Sequence, residues 1–156
     1  MAEKGLSEKN IVTNRKARRD YEIIETREVG ISLLGTEVKS LRAGKVNLAD
    51  CYAAIENGEV FLYNLHISQY EQSARENHEP TRKRRLLLHK KEIRKLFGAT
   101  MEKGFTLIPL RIYFKGPYVK IELATARGRK KYDKRDAIAK KEADRAIERA
   151  HRRQMK

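Results

Sequence analysis

Three groups of residues in this chain could do chemistry. The first is the acid-x-Lys triplet Glu37-Val38-Lys39. The surrounding alternation of apolar residues predicts a strand there, and on a strand such a triplet is half of a divalent-metal nuclease site, in which carboxylates hold the ion that activates water. The other half, a second carboxylate, has no local signature; Asp20 and Asp50 are the candidates. Glu37 reads better as a recognition residue. A carboxylate among cations repels phosphates, so it is of use on an RNA-facing surface only as an acceptor for base amino or imino groups, or for a neighbouring arginine. A salt bridge to Lys39 or Arg42 is the plain structural alternative. On a strand, Glu37 and Lys39 share one polar face.

The second group is the block Arg82-Lys83-Arg84-Arg85-Leu86-Leu87-Leu88-His89-Lys90-Lys91, in which six cations surround three leucines. At least two of the leucines are expected inside, and the cation density marks a phosphate-binding face. The third is the basic run Asn14-Arg15-Lys16-Ala17-Arg18-Arg19-Asp20, which carries either reading, a solvated face or a phosphate contact, at the entry to the first strand. Other chemistries lack their parts. His66, His78, His89 and His151 have no ligand spacing to one another or to Cys51, so no metal or other cofactor is expected. There is no glycine-rich phosphate loop and no nucleophile elbow, and the chain reads as a binding protein, not an enzyme.

The elements that must position these groups are mainly strands. From Tyr21 to about Leu65 the period is mostly two. Cys51–Ile55 and Val60–Tyr63 flank Asn57-Gly58, a strong hairpin signal because both residues accept positive φ. Residues 71–85 read as a long polar loop. Ile93, Leu96, Phe97 and Met101 recur at helical spacing, with Gly104 as a possible cap. Two strands follow, Phe105–Phe114 and Tyr118–Leu123, and Pro109 in the first requires an edge or a bulge. Residues 1 to about 15 are expected to be flexible. Several short strands with small helices predict an antiparallel β-barrel or sandwich.

Composition supplies the partner. The 156 residues carry 36 Lys+Arg against 21 Asp+Glu, a net charge of +15. Such an excess works against a compact fold unless a polyanion offsets it, and nucleic acid is the commonest one. No long apolar run points to a membrane. A lone cysteine and an opening MAEKGLSEKN without an apolar core fit a cytoplasmic protein. The charge is uneven: residues 127–156 hold 13 Lys+Arg and 5 Asp+Glu, net +8, over half of the total. Ala139, Ala143, Ala146 and Ala150 would stripe one side of a helix there, with Ile147 the one bulky apolar residue of its second half. An alanine stripe buries too little area to anchor a helix. Residues 1–126 therefore read as an RNA-binding body with a flexible N-terminus. Residues 127–156 read as a basic tail, disordered when free and helical when bound.

Several uncommon blocks occur in order along nearly the whole chain. They are Gly35-Thr36-Glu37-Val38-Lys39-Ser40-Leu41-Arg42, His66-Ile67 with Tyr70, His78-Glu79-Pro80 with Arg82, and Arg85-Leu86-Leu87-Leu88-His89-Lys90. Pro109-Leu110 with Tyr113-Phe114-Lys115-Gly116, and Gly128-Arg129-Lys130-Lys131-Tyr132-Asp133-Lys134-Arg135, complete the set. In these blocks the chain resembles the bacterial tmRNA-binding (SmpB, or SsrA-binding) protein family. The resemblance implies an oligonucleotide-binding-like (OB-like) barrel, binding to the tRNA-like domain of tmRNA, and delivery of that RNA to stalled ribosomes in trans-translation. The implied partners are tmRNA, the ribosome through its small subunit and, indirectly, the elongation factor carrying alanyl-tmRNA, with the protein a monomer. Glu37, Leu87, His89 and Lys120 match family RNA contacts, and Lys39, Arg42 and Lys90 beside them complete the expected RNA-binding set. Tyr132, Asp133, Lys134 and Arg135 match the tail motif read in the decoding centre, and Ile147 with its cations would follow the empty mRNA channel. Tyr132 stands where many members have His; tyrosine can stack on a base but carries no positive charge. The alternative reading is a structural ribosomal RNA-binding protein, which would share the basicity and the tail.

Overall fold

Apolar residues that alternate along strands must hide one face, and here they do so by wrapping a sheet around a single interior. The structure, a computed structural model, describes residues 6–72, 77–102, 104–129 and 131–154, for 131–137 the backbone only. In chain order its elements are β1 (Glu8–Thr13), α1 (Arg15–Asp20), β2 (Tyr21–Ile31), α2 (Gly35–Arg42), β3 (Val46–Asn47), β4 (Tyr52–Glu56) and β5 (Glu59–Tyr63). There follow β6 (His66–Ile67), β7 (Arg84–Leu87), α3 (Lys90–Thr100), β8 (Phe105–Lys115), β9 (Tyr118–Gly128) and α4 (Lys131–Gln154). All strand pairs are antiparallel. The order β1-β8-β4-β5-β7-β2-β9 returns from β9 to β8, so the pairing closes into a ring, with β1 added outside it on β8. β3 and β6 form a separate short pair.

Several expectations hold. Asn57 and Gly58 take φ of 50° and 76° in the β4–β5 turn, which puts Tyr52 opposite Tyr63. The predicted helix forms as α3 with Leu96 buried. Pro109 lies at a register shift of the β8–β9 pair, where a missing N–H costs no ladder bond. Leu107, Ile112, Ile121 and Leu123 point into the ring, against Val60, Leu62 and Leu86. The alternate residues Ile108, Leu110, Ala124 and Ala126 form a second cluster, capped by Ala17 of α1. The two alanines on β9 let the helix approach.

Three expectations are overturned. The N-terminal segment is not loose throughout: Glu8–Thr13 pairs with β8. The basic run after it forms α1, begun by Asn14, whose side chain accepts from Ala17 N at 3.2 Å. Glu37-Val38-Lys39 is helical, in α2, so Glu37 and Lys39 do not share a face. Glu37 is buried and Lys39 exposed. Glu37 sits at the third helical position and reaches back to Leu34 N at 2.8 Å, satisfying a donor that a helix start leaves free.

The same carboxylate is the hub of a buried ion cluster. Glu37 and Arg84 are both fully inaccessible to solvent. Arg82 grips both oxygens of Glu37, with Nη2 on Oε1 and Nε on Oε2 at 3.1 Å, and Arg84 Nε donates to the same Oε2. The rest of the Arg84 guanidinium is spent on backbone: Nη1 on Leu65 O at 2.6 Å and Arg82 O at 3.2 Å, Nη2 on Pro80 O at 3.0 Å. Burial by itself raises the Glu37 pKa; hydrogen bonds from Arg82, the Leu34 N–H and Arg84 outweigh it and hold the carboxyl below its ordinary 4.5.

Removing one partner of a buried pair leaves the other charge unpaired, at a cost of about 3–5 kcal/mol. Glu37→Ala should therefore lower the melting temperature by roughly 6–20 °C for a chain of this size, and Glu37→Gln by less, as read by thermal unfolding. Because the folded pKa lies below the unfolded one, the stabilisation is complete above the unfolded value and is lost as pH falls through the folded value. Wild type should lose stability as pH drops below 4.5, and Glu37→Gln should lose less over the same window.

Candidate nucleic-acid interface

Strand parity divides β7 cleanly: Arg84 and Leu86 face inward, Arg85 and Leu87 outward. Leu87 is 48% exposed, a large apolar side chain left in water. It is paired across the sheet with Gly30 of β2, which is paired in turn with Lys120 of β9, itself opposite Tyr113 of β8. Leu87, Gly30, Lys120 and Tyr113 thus form one transverse row. Gly30 keeps the row open, since a Cβ there would stand 3.3 Å from Leu87 Cβ. Tyr113 is pinned flat, its hydroxyl donating to Glu28 and its ring covered by Arg111 at 4.0 Å. Lys115 Nζ also meets Glu28, at 3.2 Å. Burial by itself raises the Glu28 pKa, but hydrogen bonds from Tyr113 and Lys115 prevail and lower it. Burial and the Glu28 contact push the Tyr113 hydroxyl pKa well up, so the phenol keeps its proton.

His89 and Lys90 lie just beyond Leu87, where β7 turns into α3, and both are exposed. His89 is the residue before the first helical turn; its N–H donates to Glu92 Oε1 at 3.3 Å, and Glu92 is held by Arg27 at 3.3 Å. The structure therefore brings Leu87, His89, Lys90 and Lys120 onto or beside one shelf. An apolar ledge with cations around it can take a sugar or base edge against Leu87 while the cations meet phosphates.

Lys39 and Arg42 are exposed on α2, a separate element, and Lys39 Nζ lies 5.4 Å from the Tyr70 ring. Glu37 is not on that surface. Its oxygens are filled by two guanidinium groups and a backbone N–H, which leaves neither a base edge nor a metal ion a place on it. What Glu37 can do for recognition is to fix Arg82, which is partly exposed, and to staple α2 to the base of β7. The nuclease half-motif is corrected on the same ground. Among the described residues no group of three or more metal-ligating side chains is found.

Two structural residues escaped the sequence reading. Arg84 was counted among the phosphate-facing cations, although its parity with Leu86 put it inside. His78, within the expected loop, is buried: Nε2 donates to Ile67 O at 2.8 Å and Nδ1 meets the Thr36 hydroxyl at 2.9 Å, tying the loop to α2. Ile67 N, bonded to Pro80 O at 3.0 Å, makes a second tie. Cys51 is buried and its thiol pKa is pushed up to about 12 by that burial, with Arg84 pulling weakly the other way. Of the tail residues, Ile147 is 67% exposed on α4. Tyr132, Asp133, Lys134 and Arg135 fall in the first turns of α4, and their side chains lie outside the described residues.

The family model described as SmpB protein matches residues 11–153. The SsrA-binding protein of Carboxydothermus hydrogenoformans is 62% identical over 145 residues, covering 93% of this chain and 97% of that protein. The SsrA-binding protein of Geobacillus thermodenitrificans is 57% identical over 148 residues, covering 95% and 96%. The solved structure "tmRNA-SmpB: a journey to the center of the bacterial ribosome" is similar with a TM-score of 0.66 at 51% identity, over 81% of this chain and 93% of that one. The chain belongs to the SmpB protein family.

Proposed function

We propose that this protein binds tmRNA and carries it to stalled ribosomes for trans-translation, without itself catalysing a reaction. The observation that carries the reading is the Leu87–Gly30–Lys120 row, with Leu87 exposed and Gly30 and Lys120 half-buried, in a chain that matches SsrA-binding proteins over nearly their whole length. The row is the contact for the tRNA-like domain, with His89 and Lys90 at its end, while Lys39 and Arg42 on α2 and Arg82 just before β7 supply further cations. The closed ring is an OB-like barrel, a fold whose surface suits splayed bases and backbone contacts. Its site of work is the cytoplasm, as a monomer. Tyr132, Asp133, Lys134 and Arg135 act in the decoding centre of the small subunit, and Ile147 with its neighbouring cations follows the mRNA channel.

The tail is unfolded when the protein is alone and helical on the ribosome. In support, every described side chain of residues 138–154 is exposed, so α4 lacks the tertiary packing that supplies most of a helix's stability in a protein. Recovering the protein from cells and sequencing its RNA should return tmRNA, with the protein substoichiometric to ribosomes. Equal abundance on all ribosomes would favour a structural ribosomal protein instead.

Body and tail should separate genetically. Truncation from Lys130 onward should leave affinity for the tRNA-like domain nearly unchanged and abolish peptide tagging. Lys90→Gln with Lys120→Gln should have the reverse profile, flattening the dependence of log affinity on log salt by about two, one per lost phosphate contact. Ala143→Pro, at a helix cost of about 3 kcal/mol, should block tagging while tmRNA binding persists. Tagging at the wild-type rate in that variant would show that the tail helix has no role.

A further inference from the structure

A concentration of cations without acidic partners among the described residues lies away from the Leu87 row. α1 and α4 face each other across a groove of about 530 Å³ lined by Arg15, Lys16, Arg18 and Arg19 on one side and Ile138, Lys141, Glu142 and Arg145 on the other. Six of these eight residues are cations and one is an acid. Arg19 has Asp20 at 3.5 Å. Among the described residues, none of Arg15, Lys16, Arg18, Lys141 or Arg145 has an acidic partner. Like charges lining one groove repel each other, and solvent ions screen that repulsion only over distances beyond about 8 Å at physiological salt. Left empty, the two helices repel each other, and the contact that opposes this is slight: Ile138 is still 39% exposed.

We propose that the α1–α4 groove binds the phosphate backbone of a nucleic acid, and that this backbone is what holds the tail helix against the body. The chemistry required is a row of closely spaced negative charges with no base specificity. A single-stranded or looped RNA backbone supplies it and releases counterions as it enters. The cations of α1 are free to serve because the helix is seated by Ala17 alone, 4% exposed between Ile108, Leu110 and the β9 alanines, while its four basic side chains point outward. Ala17 thus fixes one wall of the groove on the rigid body, and the other wall arrives on the tail. The groove is distinct from the row that takes the tRNA-like domain. The proposal rests on the reading above only in taking RNA as the polyanion.

A double-mutant cycle on the full chain tests it, with fluorescence anisotropy of a short oligouridylate as the readout. One pair is Arg15→Gln/Arg18→Gln, the other Lys141→Gln/Arg145→Gln. Each pair should weaken binding by about ten-fold at low salt, and the quadruple variant should fall short of the product by about five-fold or more, because either pair alone dismantles the shared site. As a control, the α1 pair combined with Arg94→Gln/Lys95→Gln on α3 should multiply. Circular dichroism and thermal unfolding of each variant should match wild type, since none of these side chains is buried. Simple multiplication of the α1 and α4 effects, or no effect of either, overturns the proposal. The tRNA-like domain of tmRNA should bind the α1 variant within about two-fold of wild type. Loss of that binding would place the α1 cations in the tmRNA site and overturn the separate groove, whereas failure of the wild-type chain to prefer tmRNA at all would count against the functional reading and leave the cycle's outcome standing.

Discussion

A carboxylate sealed from water between two arginines constrains everything around it. Two ions taken out of solvent are tolerable only when they are paired and hydrogen-bonded. Glu37 and Arg84 meet that condition by recruiting distant pieces of chain: the start of α2, the carbonyls of Leu65 and Pro80, and the strand that becomes β7. The cluster therefore fixes the geometry of a segment with little regular structure of its own. Once Arg84 is held inward, the two-residue period of a strand leaves Arg85 and Leu87 no choice but to face outward. The binding row is in this sense a consequence of an internal electrostatic requirement.

The rest of the row follows from what its neighbours lack. Gly30 has no side chain to crowd Leu87, and Tyr113 lies down under Arg111 instead of standing up from the sheet. A single exposed leucine is ordinary on a protein surface and marks a contact only by what surrounds it. Here the exposed leucine comes with Lys120 two strands away across Gly30 and with cations at the following helix start. The arrangement separates two tasks: the cations attract any polyanion, and the shaped ledge decides which local RNA geometry fits.

The legible parts of the sequence were those whose signal is local. Asn57-Gly58 dictates its own turn, and the spacing of Ile93, Leu96, Phe97 and Met101 dictates α3. Leu87, His89 and Lys120 were found by resemblance, and the structure gathers them at one place. The segment Gly35–Arg42 reads as a strand only by continuing the alternation of Ile31 and Leu33; the spacing of three between Val38 and Leu41 suits a helix, but Leu34 at the N-cap position gives no helix-start signal. The start is supplied from within, by Glu37 reaching back to Leu34. β1 carries no periodic signal, since most of its residues stay exposed and pairing with β8 alone makes it a strand. Arg84 reads as a surface cation from composition, which counts charges without regard to which way a strand turns them.

The closure of the ring through β9 bears on how the molecule comes into being. β9 pairs on one side with β8, its neighbour in sequence, and on the other with β2, so that Tyr21 lies opposite Gly128. The β8–β9 hairpin can form early, because its loop is short. The β2–β9 seam must bring together segments from opposite ends of the body, and such long-range pairing carries a large loop-closure entropy and folds slowly. Until that seam closes, the pairing edges of β2 and β9 are open to any other strand, a hazard for a newly made chain. The same seam seats Gly30 beside Lys120, so the binding row is among the last features to be completed. An immature chain can display the basic tail and α1, but it cannot yet hold the shelf by which RNA would be selected.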